Sequence, residues 1–173
     1  MSKLVAAVLG GLLAVSSAGA AAAALGPDAQ ACAPGATGPA ILVDVQGLKA
    51  RTGMVRIQSY GGDPQHYFDK GQYLRRIEVP VPAKGAVEVC VPVAAAGTYA
   101  ISVRHDVDGS GNTGRKDGGG MSGNPHLSLF DVIFKRKPDP RQVQIAVHNV
   151  VRVPVVMNYL QGGSFGPVAM ASR

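Results

Sequence analysis

The pattern that decides the fold class is Leu74-Arg75-Arg76-Ile77-Glu78-Val79-Pro80-Val81, in which apolar and charged residues alternate from Arg76 to Val79. Successive side chains of a β-strand point to opposite faces of a sheet, so this alternation predicts a strand with one buried and one wet face. The run Gln142-Val143-Gln144-Ile145-Ala146-Val147 repeats the pattern. Both runs indicate a protein built from half-buried sheets.

Short runs rich in Val and Ile recur on both sides of this stretch, separated by Gly, Pro and Asp clusters. They predict strands at Ala40 to Gln46, Gly53 to Ser59, Leu74 to Val81, Ala86 to Val91, Thr98 to His105, Ser128 to Lys135, Gln142 to Asn149 and Pro154 to Tyr159. A sustained apolar period of 3.6 residues is missing after the N-terminal segment, which disfavours parallel α/β folds with crossover helices. We therefore expect an all-β fold, a single antiparallel β-sandwich of about seven or eight strands, with a short helical turn between Asp63 and Leu74.

The first twenty residues have the pattern of a cleavable secretory signal. Lys3 gives a positive start, Leu4 to Val15 is uncharged, and Ala18-Gly19-Ala20 is a small-x-small cleavage site. An uncleaved anchor is the alternative, but the apolar run soon gives way to small residues. The expected organisation is a signal peptide at 1–20, with cleavage anywhere from 20 to 24, an N-terminal segment at 21–39, a sandwich at 40–160 and a flexible Gly-rich tail at 161–173. The mature protein then has no transmembrane segment and is periplasmic or secreted.

Two cysteines, Cys32 and Cys90, are the full complement of the chain. In an exported protein they suit one disulfide, which would join the N-terminal segment to a strand. Two free thiols are the alternative.

The chain is basic, with 17 Lys and Arg against 11 Asp and Glu and a pI near 9.6. The densest positive runs are Arg75-Arg76 and Lys135-Arg136-Lys137. Export and the lack of aromatic residues among the basic ones argue against a nucleic-acid partner. The first interpretation of these charges is that they lie on a solvent-exposed face of the protein. The second is that they contact an anionic surface of the cell envelope.

A long gap between predicted strands runs from Asp106 to Leu127, and gaps of that length tend to be functional or disordered. Its Gly109-x-Gly111-x-x-Gly114 run matches a dinucleotide fingerprint, but Arg115-Lys116 and three glycines follow where a helix is required. Gly162-Gly163-Ser164-Phe165-Gly166 likewise matches a nucleophile elbow with no room for partner residues after it. Neither glycine motif is expected to function.

The same gap contains oxygen-bearing side chains at the spacing of an EF-hand-type calcium loop. Counting from Asp106, positions 1, 3, 5 and 12 are Asp106, Asp108, Ser110 and Asp117, position 6 is Gly111, and position 7 offers the carbonyl of Asn112. These five residues are the predicted ligands of a weak Ca²⁺ site. The alternative is a connection rich in Asx-turns, in which Asp and Asn side chains bond nearby backbone amides.

Four histidines, His66, His105, His126 and His148, are scattered without metal-ligand spacing. Because His105 and His126 flank the long gap, they could approach each other. A metal-assisted hydrolase using His105, Asp106 and His126, with Asp131 near them, is therefore a second functional hypothesis.

Three stretches carry a family resemblance: Gly97-Thr98-Tyr99-Ala100 continuing to His105-Asp106-Val107-Asp108-Gly109-Ser110-Gly111, then Met121-Ser122-Gly123-Asn124-Pro125, then Phe130-Asp131-Val132-Ile133-Phe134. They resemble the bacterial exported family numbered 2141 among the domains of unknown function, over roughly Ile41 to Tyr159. The resemblance implies a small β-sandwich of immunoglobulin-like or transthyretin-like type outside the cytoplasm, and no established activity. The chain departs from the family pattern with Asp108 and Ser110 in place of Asn, and with Gly114 where an acidic residue is common.

The expected function is a non-enzymatic binding or structural module of the cell envelope, steadied by a disulfide and by Ca²⁺. Its partner would be an envelope component, a glycan or a protein. No nucleophile and base can be paired from the sequence, so the hydrolase stays second.

Overall fold

A computed structural model describes residues 23–168, and within that range ten strands form two sheets. The strands are β1 Ala40–Gln46, β2 Met54–Gly61, β3 Arg75–Pro80, β4 Val87–Pro92, β5 Gly97–Asp106, β6 Gly118–Met121, β7 Ile145–Val147, β8 Val150–Val156, β9 Asn158–Gln161 and β10 Ser164–Pro167. Two short α-helices, α1 Leu129–Ile133 and α2 Pro140–Val143, and two single 3₁₀ turns at Ala29–Cys32 and Pro64–His66 complete the elements. The predicted all-β sandwich is confirmed, including the helical turn after Asp63, but the described residues form ten strands instead of about seven or eight.

The smaller sheet has the order β4-β1-β8. Strand β1 runs antiparallel to β4 but parallel to β8, with Val43 opposite Val89 on one side and Val153 on the other. The expectation of a purely antiparallel sandwich is therefore wrong at this pair. Pro154, which has no amide to donate, lies in β8 at the edge of this sheet, where its missing hydrogen bond costs least.

The larger sheet has the order β10-β9-β6-β5-β2-β3, and β7 pairs with the first residues of β5. Its core-facing residues on β5 are the odd-numbered ones, from Tyr99 to His105, since alternate side chains share a face. They pack against the apolar face of the smaller sheet. The fully buried centre of the sandwich contains Ile41, Val43, Val55, Ile57, Ile101, Val155, Met157 and Tyr159.

The N-terminal segment closes one side of the sandwich. The Leu25 amide donates to the Glu88 carbonyl at 2.6 Å, and Cys32 is joined to Cys90 of β4 in the predicted disulfide, with 5.7 Å between the Cα atoms. Asp28 forms an ion pair with Arg75 of β3. The segment thus ties the edges of both sheets together.

The outer face of the larger sheet is covered by connecting segments. Tyr60 and Ala100 on this face pack with Tyr67 and Val143 in a second small core. The Ser122 hydroxyl donates to the Val143 carbonyl and accepts the Ile101 amide at 3.0 Å, which fixes the segment after β6 to the sheet.

Several predicted elements are corrected. The predicted strand Ser128 to Lys135 is instead helix α1, Leu129–Ile133, with a turn after it, because the Ser128 hydroxyl and the Asp131 carboxylate cap each other's backbone amides. The predicted strand Gln142 to Asn149 begins inside α2, which starts at the Asp139-Pro140 cap, and only its Ile145–Val147 part is strand.

Two more differences concern segments predicted to lack strands. The long gap contains β6, and the segment predicted as a flexible tail includes β10, paired with β9. The predicted strand Pro154 to Tyr159 is split between β8 and β9.

The predicted signal peptide lies outside the described residues, as does the chain after residue 168. Within residues 23–168, no helix is long and apolar enough to cross a bilayer.

Candidate functional site

The acidic loop, residues 106–117, joins β5 to β6. These strands are antiparallel neighbours, with His105 opposite Gly118, so the two ends of the loop are held side by side. Gly118 is needed at this register because a Cβ there would lie 2.3 Å from the Tyr159 ring. Residues far apart in the loop, Asp106 at its start and Asp117 at its end, are thereby brought together.

Three carboxylates converge at this point. One oxygen each from Asp106, Asp108 and Asp117 lies within 4.8 Å of the other two. Asp106 and Asp117 are buried, whereas Asp108 is exposed. The sequence therefore identified three side chains that the fold brings into one cluster.

Asp106 organises the first half of the loop. Its Oδ1 accepts the Ser110 amide at 3.1 Å and its Oδ2 accepts the Gly111 amide at 2.7 Å. Gly111 has a φ of 79°, which L-residues with a side chain rarely adopt. The tight turn predicted at this glycine is present.

Asp117 organises the second half. Its Oδ1 accepts the Val107 amide at 3.1 Å, and its Oδ2 accepts the Gly114 amide at 2.7 Å. A single buried carboxylate thus bonds both the beginning and the end of the loop, which fixes the loop to the sheet.

The predicted ligand atoms of the next two residues, the Ser110 hydroxyl and the Asn112 carbonyl, are neighbours within the loop. The Ser110 hydroxyl lies 3.3 Å from the Asn112 carbonyl, and the Asn112 amide group donates to the Ser110 carbonyl at 3.4 Å. Asp108 accepts the Ser110 amide at 3.2 Å, which is the Asx-turn of the alternative interpretation. Hydrogen bonds from the Ser110 hydroxyl and then its amide hold the pKa of the Asp108 carboxyl below its ordinary value.

Arg104, which is not among the predicted site residues, borders the carboxylate cluster. Its guanidinium donates to Asp106 Oδ2 at 3.1 Å, to the Gly111 carbonyl at 3.0 Å and to Thr113 Oγ1 at 3.2 Å. Arg104 and Asp106 are two residues apart on β5 and share its outer face, so strand periodicity could have identified the pair. The three carboxylates therefore have one built-in cation beside them.

The donor set fits a hard divalent cation. The three carboxylate oxygens lie within 4.8 Å of one another, a spacing that two ligands on one Ca²⁺ also reach, since Ca²⁺–oxygen distances are about 2.3–2.6 Å. Each oxygen that accepts a backbone amide keeps a second lone pair for a cation. After Arg104 is counted, the cluster retains a net negative charge. Ca²⁺ completes such a set with carbonyl and water oxygens.

The histidine constellation of the hydrolase hypothesis is not brought together. His105 is fully buried, its Nε2 donates to the Thr52 carbonyl at 2.9 Å, and its Nδ1 accepts the Tyr159 hydroxyl at 2.6 Å. Both ring nitrogens are therefore occupied. His126 is exposed in the segment after β6, and Asp131 caps α1.

The remaining two histidines and the glycine motifs contribute no second site to the described part of the chain. The exposed His66 lies 3.4 Å from the half-buried Asp69, and His148 is an exposed residue of the β7–β8 turn. Strand β6, not a helix, follows the fingerprint-like glycines, and the elbow-like Ser164 lies in the β9–β10 hairpin.

Comparison with known proteins gives one family. The family model described as an uncharacterized protein conserved in bacteria (DUF2141) matches residues 43–153. No curated protein and no solved structure matches the chain.

Proposed function

This chain belongs to the bacterial family DUF2141, and we propose that it is a non-enzymatic, exported β-sandwich module whose acidic loop binds Ca²⁺. The module would act in the periplasm or outside the cell as a binding or structural component of the envelope. Calcium would hold the β5–β6 hairpin in one conformation while other surfaces of the module meet a partner.

The observation that carries the proposal is the convergence of three carboxylates from both ends of one hairpin loop within 4.8 Å. Like charges so close repel one another, and one arginine offsets only part of that repulsion. A divalent cation relieves the remainder. Two of the three carboxylates are buried, where solvent screens this repulsion least.

Export is supported by the disulfide and by the N-terminal sequence. Disulfides persist outside the reducing cytoplasm, and Cys32 and Cys90 are paired. Extracellular calcium sites function at dissociation constants of about 10⁻⁴–10⁻³ M. A site in that range suits a loop with three carboxylates, a neighbouring Arg104 and the two further cations Arg115 and Lys116.

The proposal is tested by thermal unfolding of the protein purified after export, in EGTA and in increasing CaCl₂. At ten times the dissociation constant, linkage adds about 1.4 kcal/mol to the free energy of unfolding, which raises Tm by roughly 3–5 °C for a domain of this size. Asp108→Asn removes an exposed ligand without disturbing a buried group and should abolish most of the rise.

Asp63→Asn is the matched control, an exposed Asp to Asn change outside the loop, and it should keep the full response. An unchanged Tm at 10 mM Ca²⁺ in the wild-type protein, or an equal rise in the Asp108→Asn protein, would contradict calcium binding by this loop. A parallel titration with MgCl₂ separates a site selective for the larger ion from general charge screening.

A further inference from the structure

A single surface carries most of the exposed apolar side chains. Among residues 23–168 six large hydrophobic side chains are exposed, and five of them lie on α1, at its end, or on the adjacent β9: Phe130 at 66%, Val132 at 41%, Ile133 at 60%, Phe134 at 64% and Leu160 at 38%. Contiguous apolar surface of this kind marks an interaction site more often than chance exposure. We call these five residues the α1 patch.

The helix that carries the α1 patch is stabilised by its polar caps and not by burial of its side chains against the sheet. No residue of α1 is buried, and the Ser128–Asp131 capping box is what starts the helix. Phe130 and Phe134 stack on each other with 6.4 Å between ring centroids. Clefts of about 500 Å³ and 410 Å³ flank the helix, and Val132 and Phe165 line both.

The surroundings of the patch are positively charged. Lys135, Arg136 and Lys137 follow α1 directly, Lys70 lines the larger cleft, and Arg115 lines the smaller one. Three acids line the clefts, and each is already engaged: Asp69 lies 2.6 Å from Lys137, Asp131 is part of the capping box, and the buried Asp117 accepts two loop amides. Lys135 and Arg136 are exposed and border the aromatic pair.

We propose that the α1 patch docks the protein on an anionic lipid surface. Phe130, Ile133 and Phe134 enter the boundary between headgroups and acyl chains, while Lys135 and Arg136 contact lipid phosphates. A second copy of the chain is a poorer occupant, since face-to-face pairing would bring two basic rims together. The inference names the envelope partner of the proposed module and rests on that proposal only for the location of the protein.

Because the chain contains no Trp, the fluorescence of a single introduced Trp reports on the surroundings of that one position. Phe134→Trp gives a single indole in the patch, and Leu74→Trp gives a matched control at the sixth exposed hydrophobic position, which is 62% exposed and outside the patch. With phosphatidylglycerol vesicles the Phe134→Trp emission should shift to the blue and be quenched by brominated lipid, whereas the Leu74→Trp emission should not change. No shift, or equal shifts in both proteins, would overturn the proposal.

The charge and apolar contributions are separated by vesicle sedimentation. Lys135→Gln with Arg136→Gln should weaken binding roughly 30-fold, at about one kcal/mol for each cation near the surface. Arg51→Gln with Lys84→Gln, at exposed sites in other loops, is the control of equal charge. Phe130→Ser with Phe134→Ser should weaken binding at least about tenfold without lowering Tm.

Equal loss in both charge variants would overturn specific docking. So would patch-dependent dimers in light scattering without vesicle binding. All binding is measured in EGTA, and the calcium site is read from Tm, so either proposal can fail while the other stands.

Discussion

Replacing Tyr159 by Phe removes one hydroxyl from the centre of the sandwich. That hydroxyl donates to His105 Nδ1 at 2.6 Å and accepts the Lys49 amide at 3.3 Å. His105 cannot compensate by changing tautomer, because its Nε2 proton is needed by the Thr52 carbonyl. The variant therefore leaves a buried acceptor without a donor, which should cost about 1–3 kcal/mol of unfolding free energy at pH 7.

The same hydroxyl makes stability depend on alkaline pH. Burial, aided by the negative charge of Asp117, raises the pKa of Tyr159 from 10.0 to about 12. Because the folded state keeps this proton longer than the unfolded chain does, its contribution is full below pH 10 and is lost as pH rises towards 12. At pH 11 the wild-type protein has lost about 1.4 kcal/mol through this residue, whereas Tyr159→Phe has lost none through it.

Urea unfolding at pH 7, 9 and 11 measures both effects. The wild-type protein should exceed Tyr159→Phe by about 1–3 kcal/mol at pH 7 and 9, and the difference should shrink by about 1.4 kcal/mol at pH 11. Tyr73→Phe, a half-buried tyrosine, serves as the control for the substitution itself. A difference that is constant from pH 9 to pH 11 would refute the account of Tyr159, and equal stability at pH 7 would refute the account of the His105 hydrogen bond.

Replacing both cysteines of the disulfide by Ala should lower the unfolding free energy by about 4 kcal/mol in urea titrations, because the bond closes a loop with a sequence separation of 58. A loss below about 1 kcal/mol would contradict this chain-entropy reasoning. Gly53→Ala should lower the unfolding free energy by more than about 3 kcal/mol, because a Cβ there would lie 1.9 Å from the Asp106 carbonyl oxygen. Gly85→Ala is the control, since Gly85 has a similar positive φ but nothing within 4 Å, and it should cost only about 1 kcal/mol. Equal Tm values for these two variants would show that the clash is relieved by backbone movement. Ser122→Ala should lower Tm because it leaves the buried Val143 carbonyl and a strand amide without partners, at about 1–3 kcal/mol per group, and an unchanged Tm would exclude that role.

The first five strands could be predicted within two residues because their chemistry is local. Alternating Val and Ile residues in β1 to β5 face the core, and turn residues bound each run. The same rule failed at Phe130, Val132 and Phe134, which alternate like a strand but lie on and beside a helix. The deciding signal was the Ser128-x-x-Asp131 capping box, which is visible in the sequence and outweighs a weak β-pattern in a short exposed segment.

Strand β6 and the parallel β1–β8 pair could not be predicted, because long-range packing determines them. A run of three glycines has the poorest strand propensity, yet Gly118 and Gly120 are required where Tyr159 and Val155 pack against the backbone. In the acidic loop, spacing pointed to three carboxylates that the fold does bring together, and their binding of Ca²⁺ stays a prediction. The spacing did not show that Ser110 and Asn112 would bond to the loop backbone, because those contacts depend on loop conformation.

The parallel pairing of β1 with β8 has a consequence for how the chain assembles. Ala40 pairs with Val150, so the smaller sheet stays incomplete until the chain has been made as far as β8 and the ends of a very long loop have met. Until then one edge of β1 is open and could pair with another unfolded molecule. Asp44 places a negative charge on the strand that has this open edge, and its cationic partner in the folded protein is Arg152 of β8, at 3.0 Å. We therefore expect this carboxylate to disfavour pairing of the open edge with another chain and to favour β8 as its final neighbour.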